Sequence, residues 1–390
     1  MIGRRLQQVR LARRISLESL AAEMGGIVTK QALSKYELDK ANPSPYILRK
    51  LAEALGVNAS YFFKEPEISV EFVAYRKSRR LLEKDKKALR ALIEQTLEER
   101  VRILDLTGQS NGSRIPVRKF KVKEMEDAEK AAQELRVRWN LGLDPIQNAV
   151  SVLEDNSLSV LDIEANDDFD GISAVVRDKE SNVKTVALVT RAGIAGERQR
   201  LNLAHELGHL VLDISEDIDE EKAAFRFGAA FLAPAPKIFQ HIGGKRALIQ
   251  LQELLILKQR FGLSIQALVH RLHDLDVITD SYYQQWFMKI NRYGWRKQEP
   301  EEWPFEKPLW LKRNVLRLVA EGIMSQSEGE RILGEKLELE TPASVTERRA
   351  FLKLPIEKRR AILSQQASNV ARLYEENGEW RELEGGDLVE

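Results

Sequence analysis

The run Leu203-Ala204-His205-Glu206-Leu207-Gly208-His209-Leu210 constrains this chain more than any other stretch. In a helix, His205 and His209 are four residues apart and stack on one face. Two imidazole nitrogens then meet where one zinc ion can take both. Glu206, one step round the helix, lies beside that point and can act as general base toward an attacking water. Leu203, Leu207, Leu210 and Leu212 give the helix an apolar side and so a reason to be buried. The chain has five histidines (His205, His209, His241, His270 and His273), so the spacing is not a product of abundance.

Two histidines do not complete a catalytic zinc site, which takes three protein ligands and keeps one position open. A carboxylate on a following helix serves as well as another histidine. The stretch after the motif is acidic, with Asp213, Glu216, Asp217, Asp219, Glu220 and Glu221. The next helix carries Ala223, Ala224, Phe227, Gly228 and Phe231, and its small residues permit close approach to the motif helix. Glu221, three residues before Ala224, shares that inward face, with Glu220 as the fallback. An oxyanion donor is also expected, for which His241, His270, Arg198 or a tyrosine could serve. Otherwise His241, His270 and His273 read as surface or locally bonded histidines.

The chain contains no cysteine, which excludes disulfides, cysteine-ligated zinc and thiol catalysis. No apolar run reaches the ~18 residues of a membrane span. Met1-Ile2-Gly3-Arg4-Arg5 opens an amphipathic helix and not an apolar signal core. The expected location is therefore cytoplasmic, with no membrane partner. A length of 390 residues allows two or three domains.

Residues 1–65 read as five short helices. Ile2 to Arg13 forms the first, Ser16 caps the second, and Thr29 caps the third, Lys30 to Glu37, with Ala32, Leu33 and Tyr36 inward. The fourth carries Leu48, Leu51, Ala52 and Leu55, and Asn58 caps the last. Gly25-Gly26 supplies the tight turn of a helix-turn-helix. The third helix is then the recognition helix, with Thr29, Lys30, Gln31, Ser34 and Lys35 facing DNA. Gln31 suits an adenine edge; Lys30 and Lys35 suit guanine or phosphate. Eleven Lys/Arg against six Asp/Glu give this segment +5 in a chain that nets +1. A double-stranded DNA operator is the expected partner.

Residues 66–118 read as a helical connector. Its basic run (Arg76, Lys77, Arg79, Arg80, Lys84, Lys86 and Lys87) is taken as a solvated helix face. Ala88 to Leu106, with Leu89, Leu92, Ile93, Leu97, Val101 and Leu104, reads as one long helix able to pair with a second chain, hence a possible homodimer. Gly108 to Ser113 looks like a flexible boundary. Residues 119–280 read as a second domain, with helices Val122 to Trp139 and Pro145 to Leu153. Strands Leu158 to Ile163, Ile172 to Arg177 and Thr185 to Val189 follow, then the motif helix, Glu197 to Leu212. Residues 281–350 form a helical extension containing Trp286, Trp295, Trp303 and Trp310, and 351–390 form a tail. The expected fold class is α+β, mainly helical: an all-α helix-turn-helix domain, a metal-binding domain and a helical C-terminal region.

Two family resemblances stand on these residues. Ser16-Leu17-Glu18-Ser19-Leu20-Ala21, Thr29-Lys30-Gln31-Ala32-Leu33-Ser34-Lys35-Tyr36-Glu37, Pro43-Ser44 and Leu48 to Val57 resemble the XRE (Cro/CI-type) helix-turn-helix. Glu197 to Leu210, together with Glu221-Lys222-Ala223-Ala224-Phe225-Arg226-Phe227-Gly228 and on to Pro234, resembles the ImmA/IrrE metallopeptidases. The second resemblance implies a zincin-like fold with Zn2+ as cofactor. It makes His205, His209 and Glu221 the metal ligands and Glu206 the catalytic base. Phe225 stands where that family often has Asn or Asp. A hydrogen bond to the metal site is then missing or supplied elsewhere. Leu352 to Leu363 begins a tail that resembles small antitoxin proteins.

Together these imply a DNA-binding regulator with a zinc-dependent endopeptidase domain. Its substrate would be a regulatory protein, such as a repressor or a toxin, in a stress, mobile-element or toxin-antitoxin setting. The alternative is a non-proteolytic regulator or antitoxin whose zinc fold senses a signal or binds a partner. Self-cleavage near Gly108 to Ser113 is a third expectation.

Overall fold

Local capping writes the N-terminal domain. Ser16, Thr29 and Ser44 each accept a hydrogen bond from the backbone N–H three residues on, starting α2 (Leu17–Glu23), α3 (Lys30–Glu37) and α4 (Pro45–Ala54). Asn58 caps a 3-10 turn, Ala59–Phe63. Gly25 and Gly26 both adopt positive φ, 67° and 73°, which lets the chain reverse tightly between α2 and α3. With α1 (Ile2–Ala12), these helices enclose a core of Leu6, Val9, Leu20, Met24, Val28, Leu33, Leu48, Leu51, Leu55 and Phe62. One expectation shifts: the buried positions of α3 are Leu33 and Glu37, while Ala32 and Tyr36 are half-buried. Glu37 goes inside because Arg10 of α1 meets it with two hydrogen bonds, 2.5 and 2.8 Å, inside the domain.

The computed structural model describes residues 2–73, 82–109, 117–337 and 351–376. Much of the basic run at Arg76 to Arg80, most of the Gly108 to Ser113 boundary and the end of the tail lie outside them.

The second domain is built on a four-stranded sheet in the order β1-β4-β5-β3. Its strands are β1 (Ile68–Val73), β3 (Leu158–Ile163), β4 (Gly171–Asp178) and β5 (Val183–Arg191). β3 runs parallel to β5, while β4 is antiparallel to both β5 and β1. Side chains alternate across the sheet. Val160, Val175, Val186 and Leu188 face the core that contains the motif helix α8 (Gly196–Val211). Leu161, Ile172, Ala174, Val176, Ala187 and Val189 face α5 (Glu83–Leu106). A short parallel pair, β2 (Phe120–Val122) with β6 (Leu212–Ile214), ties α6 (Met125–Arg138) to the end of α8.

The segment read as a helical connector is therefore part of this domain. β1 is an edge strand of its sheet, which therefore has a fourth strand beyond the three expected. Leu89, Ile93, Leu97 and Val101 of α5 pack on the sheet, so the apolar repeat expected to meet a partner chain is already covered. The DNA-facing domain also docks on α5: Arg5 of α1 donates to both oxygens of Glu98 at 2.7 Å and to the Lys64 carbonyl at 2.8 Å.

α7 (Ala149–Asp155), α9 (Glu220–Leu232), α10 (Ala235–Ile242), α11 (Leu251–Phe261), α12 (Ile265–Asp274), α13 (Asp280–Arg292) and α14 (Trp310–Ala320) complete this mainly helical unit, which runs to Ser325. From Gln326 the chain forms a second unit, with α15 (Gln326–Leu333) and α16 (Ile356–Glu376). In it, Glu330 of α15 accepts the Leu337 N–H at 3.1 Å. No helix among the described residues is long and apolar enough to cross a membrane.

Candidate metal centre and nucleic-acid interface

Small residues set the spacing of α8 and α9. A Cβ on Gly228 would lie 3.0 Å from the His205 backbone nitrogen, and one on Gly208 would lie 3.1 Å from Ala224 Cα. Asp219 caps α9 by accepting from the Glu221 and Lys222 N–H groups at 3.0 and 3.2 Å. This fixes the first turn of α9, and both of its glutamates reach back to α8.

His205 Nε2 and His209 Nε2 lie 3.1 Å apart. The Glu221 carboxylate stands 3.0 Å from His209 Nε2 and 3.6 Å from His205 Nε2. One ligand atom from each residue lies within 4.8 Å of the others. Two imidazole nitrogens and one carboxylate oxygen converging in this way form a donor set suited to zinc. The histidines are buried and Glu221 is half-buried.

Glu220 takes a different position from its neighbour. Its Oε1 lies 3.1 Å from His209 Nδ1, the nitrogen pointing away from the donor cluster. A carboxylate there orients the ring and raises the basicity of Nε2. Burial opposes a charge on His209, but the hydrogen bond to Glu221 and the charges of Glu206, Glu221 and Glu220 outweigh it and raise its pKa above the ordinary value. The cluster is thus an anionic pocket that favours a cation.

Glu206 is held between α8 and β4. A Cβ on Gly171 would lie 3.3 Å from its Cγ. Burial pushes its carboxyl pKa up to about 7, while the His209 charge and hydrogen bonding to Ser173 pull the other way. Its Oε2 is buried without a hydrogen-bond partner, a cost that functional sites tolerate. An unused carboxylate oxygen beside a converging donor set fits a metal-dependent general base.

Phe225 lies with its ring 3.9 Å, centroid to centroid, from that of His205 and remains 46% exposed. It covers one histidine by contact where the family often places a hydrogen-bonding side chain. The other histidine, His209, donates its Nδ1–H to Glu220. The remaining candidates are engaged elsewhere: Arg198 with Asp170 at 2.5 Å, His270 with the Tyr283 hydroxyl at 2.8 Å and His273 with Asp280 at 2.6 Å. His241 packs beside Phe261.

The N-terminal half of α8 is held by buried charges that the sequence did not announce. Arg200, fully buried, pairs with Glu306 and donates to the carbonyls of Ile146 and Phe261. Gln199 exchanges two hydrogen bonds of 2.8 Å with the Glu306 backbone. Lys258 of α11, also fully buried, bridges Glu197 at 2.5 Å and Glu299 at 2.9 Å. Segment 299–306 is thereby strapped along the motif helix.

On the nucleic-acid side, Thr29, Lys30, Gln31 and Lys35 are exposed and Ser34 is half-buried. The Thr29 hydroxyl caps α3 by accepting from Ala32 at 3.2 Å, and Lys30 lies 3.5 Å from Glu18 of α2. All five side chains belong to the N-terminal cap and first turns of α3, where a recognition helix meets DNA.

A helix-turn-helix domain and an α+β domain that brings His205, His209 and Glu221 together are thus joined in one chain. Residues 6–62 match the helix-turn-helix family, and residues 191–273 match a peptidase family described as IrrE N-terminal-like domain. The chain carries an XRE-type transcriptional-regulator domain and an IrrE-like peptidase domain. Among curated proteins, it is similar to the HTH-type transcriptional regulator PuuR of Escherichia coli, 40% identical over 65 residues, which is 17% of this chain and 34% of PuuR. It is also similar to an SPbeta prophage-derived uncharacterized HTH-type transcriptional regulator, YonR, of Bacillus subtilis, 36% identical over 64 residues, which is 16% of this chain and 57% of that protein. The chain spans about a third of PuuR and just over half of YonR.

Proposed function

We propose that this chain is a DNA-tethered, zinc-dependent endopeptidase that cuts a regulatory protein such as a repressor. The observation that carries the reading is the convergence of His205 Nε2, His209 Nε2 and Glu221 beside the buried, half-satisfied Glu206. His205, His209 and Glu221 hold the metal, and Glu220 orients His209. Zinc, when bound, supplies a Lewis acid that polarises a peptide carbonyl and makes water acidic. Glu206 accepts a proton from the attacking water and delivers it to the nitrogen of the leaving amine. The burial that raises its pKa suits it to both halves of that transfer.

Thr29, Lys30, Gln31, Ser34 and Lys35 contact operator DNA. A substrate bound at the same operator then meets the peptidase at high effective concentration. The prophage origin of one relative is in keeping with a mobile-element setting.

Glu206→Gln tests the reading, because the amide keeps the shape and removes the base. The variant should retain zinc, lose cleavage by about three orders of magnitude or more, and retain bound substrate in a pull-down. Should it preserve every cellular effect of the parent protein, the chain is instead a regulator or antitoxin whose zinc fold senses a signal or binds a partner.

A further inference from the structure

We propose that β1 is a built-in occupant of the substrate-binding edge, so that the peptidase is held closed by its own strand; this rests on the peptidase reading above. Glu206 faces β4 at Gly171 and Ser173. An extended peptide placed at Glu206 finds the backbone edge of β4 beside it, and strand addition to such an edge is a common mode of peptide capture. That edge is taken. β1 pairs antiparallel with β4 over six register positions, from Ile68 opposite Asp178 to Val73 opposite Ser173. Val73 therefore pairs two positions along β4 from Gly171, where a Cβ would lie 3.3 Å from the base's Cγ. It packs on the same side of the sheet as α8, whereas Ile68, Val70 and Phe72 pack toward α5. Beyond Val73, β4 continues for two residues, Ile172 and Gly171, without a described partner from β1.

The construction suits a strand that leaves and returns. β1 is six residues long, and none of them is fully buried. Three partly buried apolar side chains and one face of exposed or half-buried residues hold it. It is covalently attached, so its effective concentration at the edge exceeds that of any free peptide. A substrate succeeds by offering an extended, β-branched or aromatic segment that pairs with β4 better than β1 does. The strand also shares α5 with the DNA-facing domain: Arg90 of α5 lies over the Phe72 ring at 5.0 Å, and Glu98 holds Arg5.

A reversible lock tests this. The chain has no cysteine, so Ser69→Cys with Arg177→Cys, a facing pair at the end of the ladder away from Glu206, gives one disulfide that reductant opens. With labelled unfolded casein as probe, the oxidised protein should cleave at least about tenfold more slowly than the same protein after reduction, at equal zinc content. Val70→Pro with Glu71→Pro, adjacent positions of which one N–H faces β4, should cleave several-fold faster than the parent. Equal rates in the oxidised and reduced forms overturn the proposal. If neither form nor the parent cuts casein, that result counts against the peptidase reading, and hydrogen exchange then judges the strand alone. Amides of β1 should exchange at least about tenfold faster than those of β5 in the intact parent protein; equal protection makes β1 a fixed strand and overturns the proposal.

Discussion

The helix-turn-helix domain and the candidate metal centre both present a few polar side chains in fixed geometry, by contrasting means. The first uses one short helix, α3, started by its own Thr29 cap and preceded by a two-glycine turn, with four of its five candidate DNA contacts exposed. The second draws two histidines from α8, two glutamates from α9 and a contact from β4, and buries most of them. In the first, geometry follows from local sequence. In the second it follows from packing, which buried charge far from the donors must hold in place. Local sites should thus fail residue by residue, and packed sites should fail through their supports.

Removing a support is the strongest way to break this contrast. Glu306→Ala strips the carboxylate from fully buried Arg200 and leaves a cation with carbonyl partners only. Loss of one partner of a buried pair costs about 3–5 kcal/mol. Chemical denaturation should show a drop of that size, although Glu306 touches no metal donor. A loss under ~1 kcal/mol would mean that α8 stands without its strap.

Next is Gly228→Ala. The added methyl meets backbone atoms of His205 and Ala204 at 3.0 and 3.1 Å, so α8 and α9 must part. Overpacking of this kind costs about 1–3 kcal/mol. Its diagnostic effect is weaker zinc binding, read by competition with a chelator, with operator affinity unchanged at temperatures where the protein is folded. Unchanged zinc affinity would show that the donor set tolerates helix separation.

Gln31→Ala sharpens the other side of the comparison. Gln31 is exposed on α3, and a good bidentate base contact is worth about 1–3 kcal/mol of discrimination. Operator binding at fixed salt should weaken by that amount, with thermal stability and zinc content unaltered. An effect equal on operator and random DNA would reassign Gln31 to backbone contact.

The same contrast explains what could be read in advance. The caps at Ser16, Thr29 and Asn58 were legible because each acts within three residues. The His205-Glu206-x-x-His209 spacing was legible because one helix carries it. β1 was missed although Ile68, Val70 and Phe72 alternate with Ser69 and Glu71, a strand pattern short enough to pass for a connector. The apolar repeat of α5 was visible, but periodicity does not say whether a sheet or a second chain will cover it. Arg200 and Lys258 were unreadable, since charged residues are buried only when tertiary partners meet them. Segment 299–306 supplies carboxylates about a hundred residues along the chain from Glu197 and Arg200.

Glu220 is the smallest and most discriminating case, because the sequence offered it only as a fallback ligand to Glu221. Both begin α9, but one helical step turns one toward the converging donors and the other toward the far nitrogen of His209. Glu220→Gln keeps an oxygen that accepts from Nδ1 and removes the charge. Glu220→Ala removes both. Mutating an outer partner of a metal-ligating histidine costs about 10–100-fold in affinity, and the half-exposed side chain places this one near the lower limit. Zinc affinity should fall about tenfold in the alanine variant and less in the glutamine variant. Glu221→Ala should lose the metal at concentrations where both Glu220 variants still hold it. If Glu220→Ala instead matches Glu221→Ala, the two glutamates share the ligand role, and the capped first turn of α9 does not fix which one faces the metal.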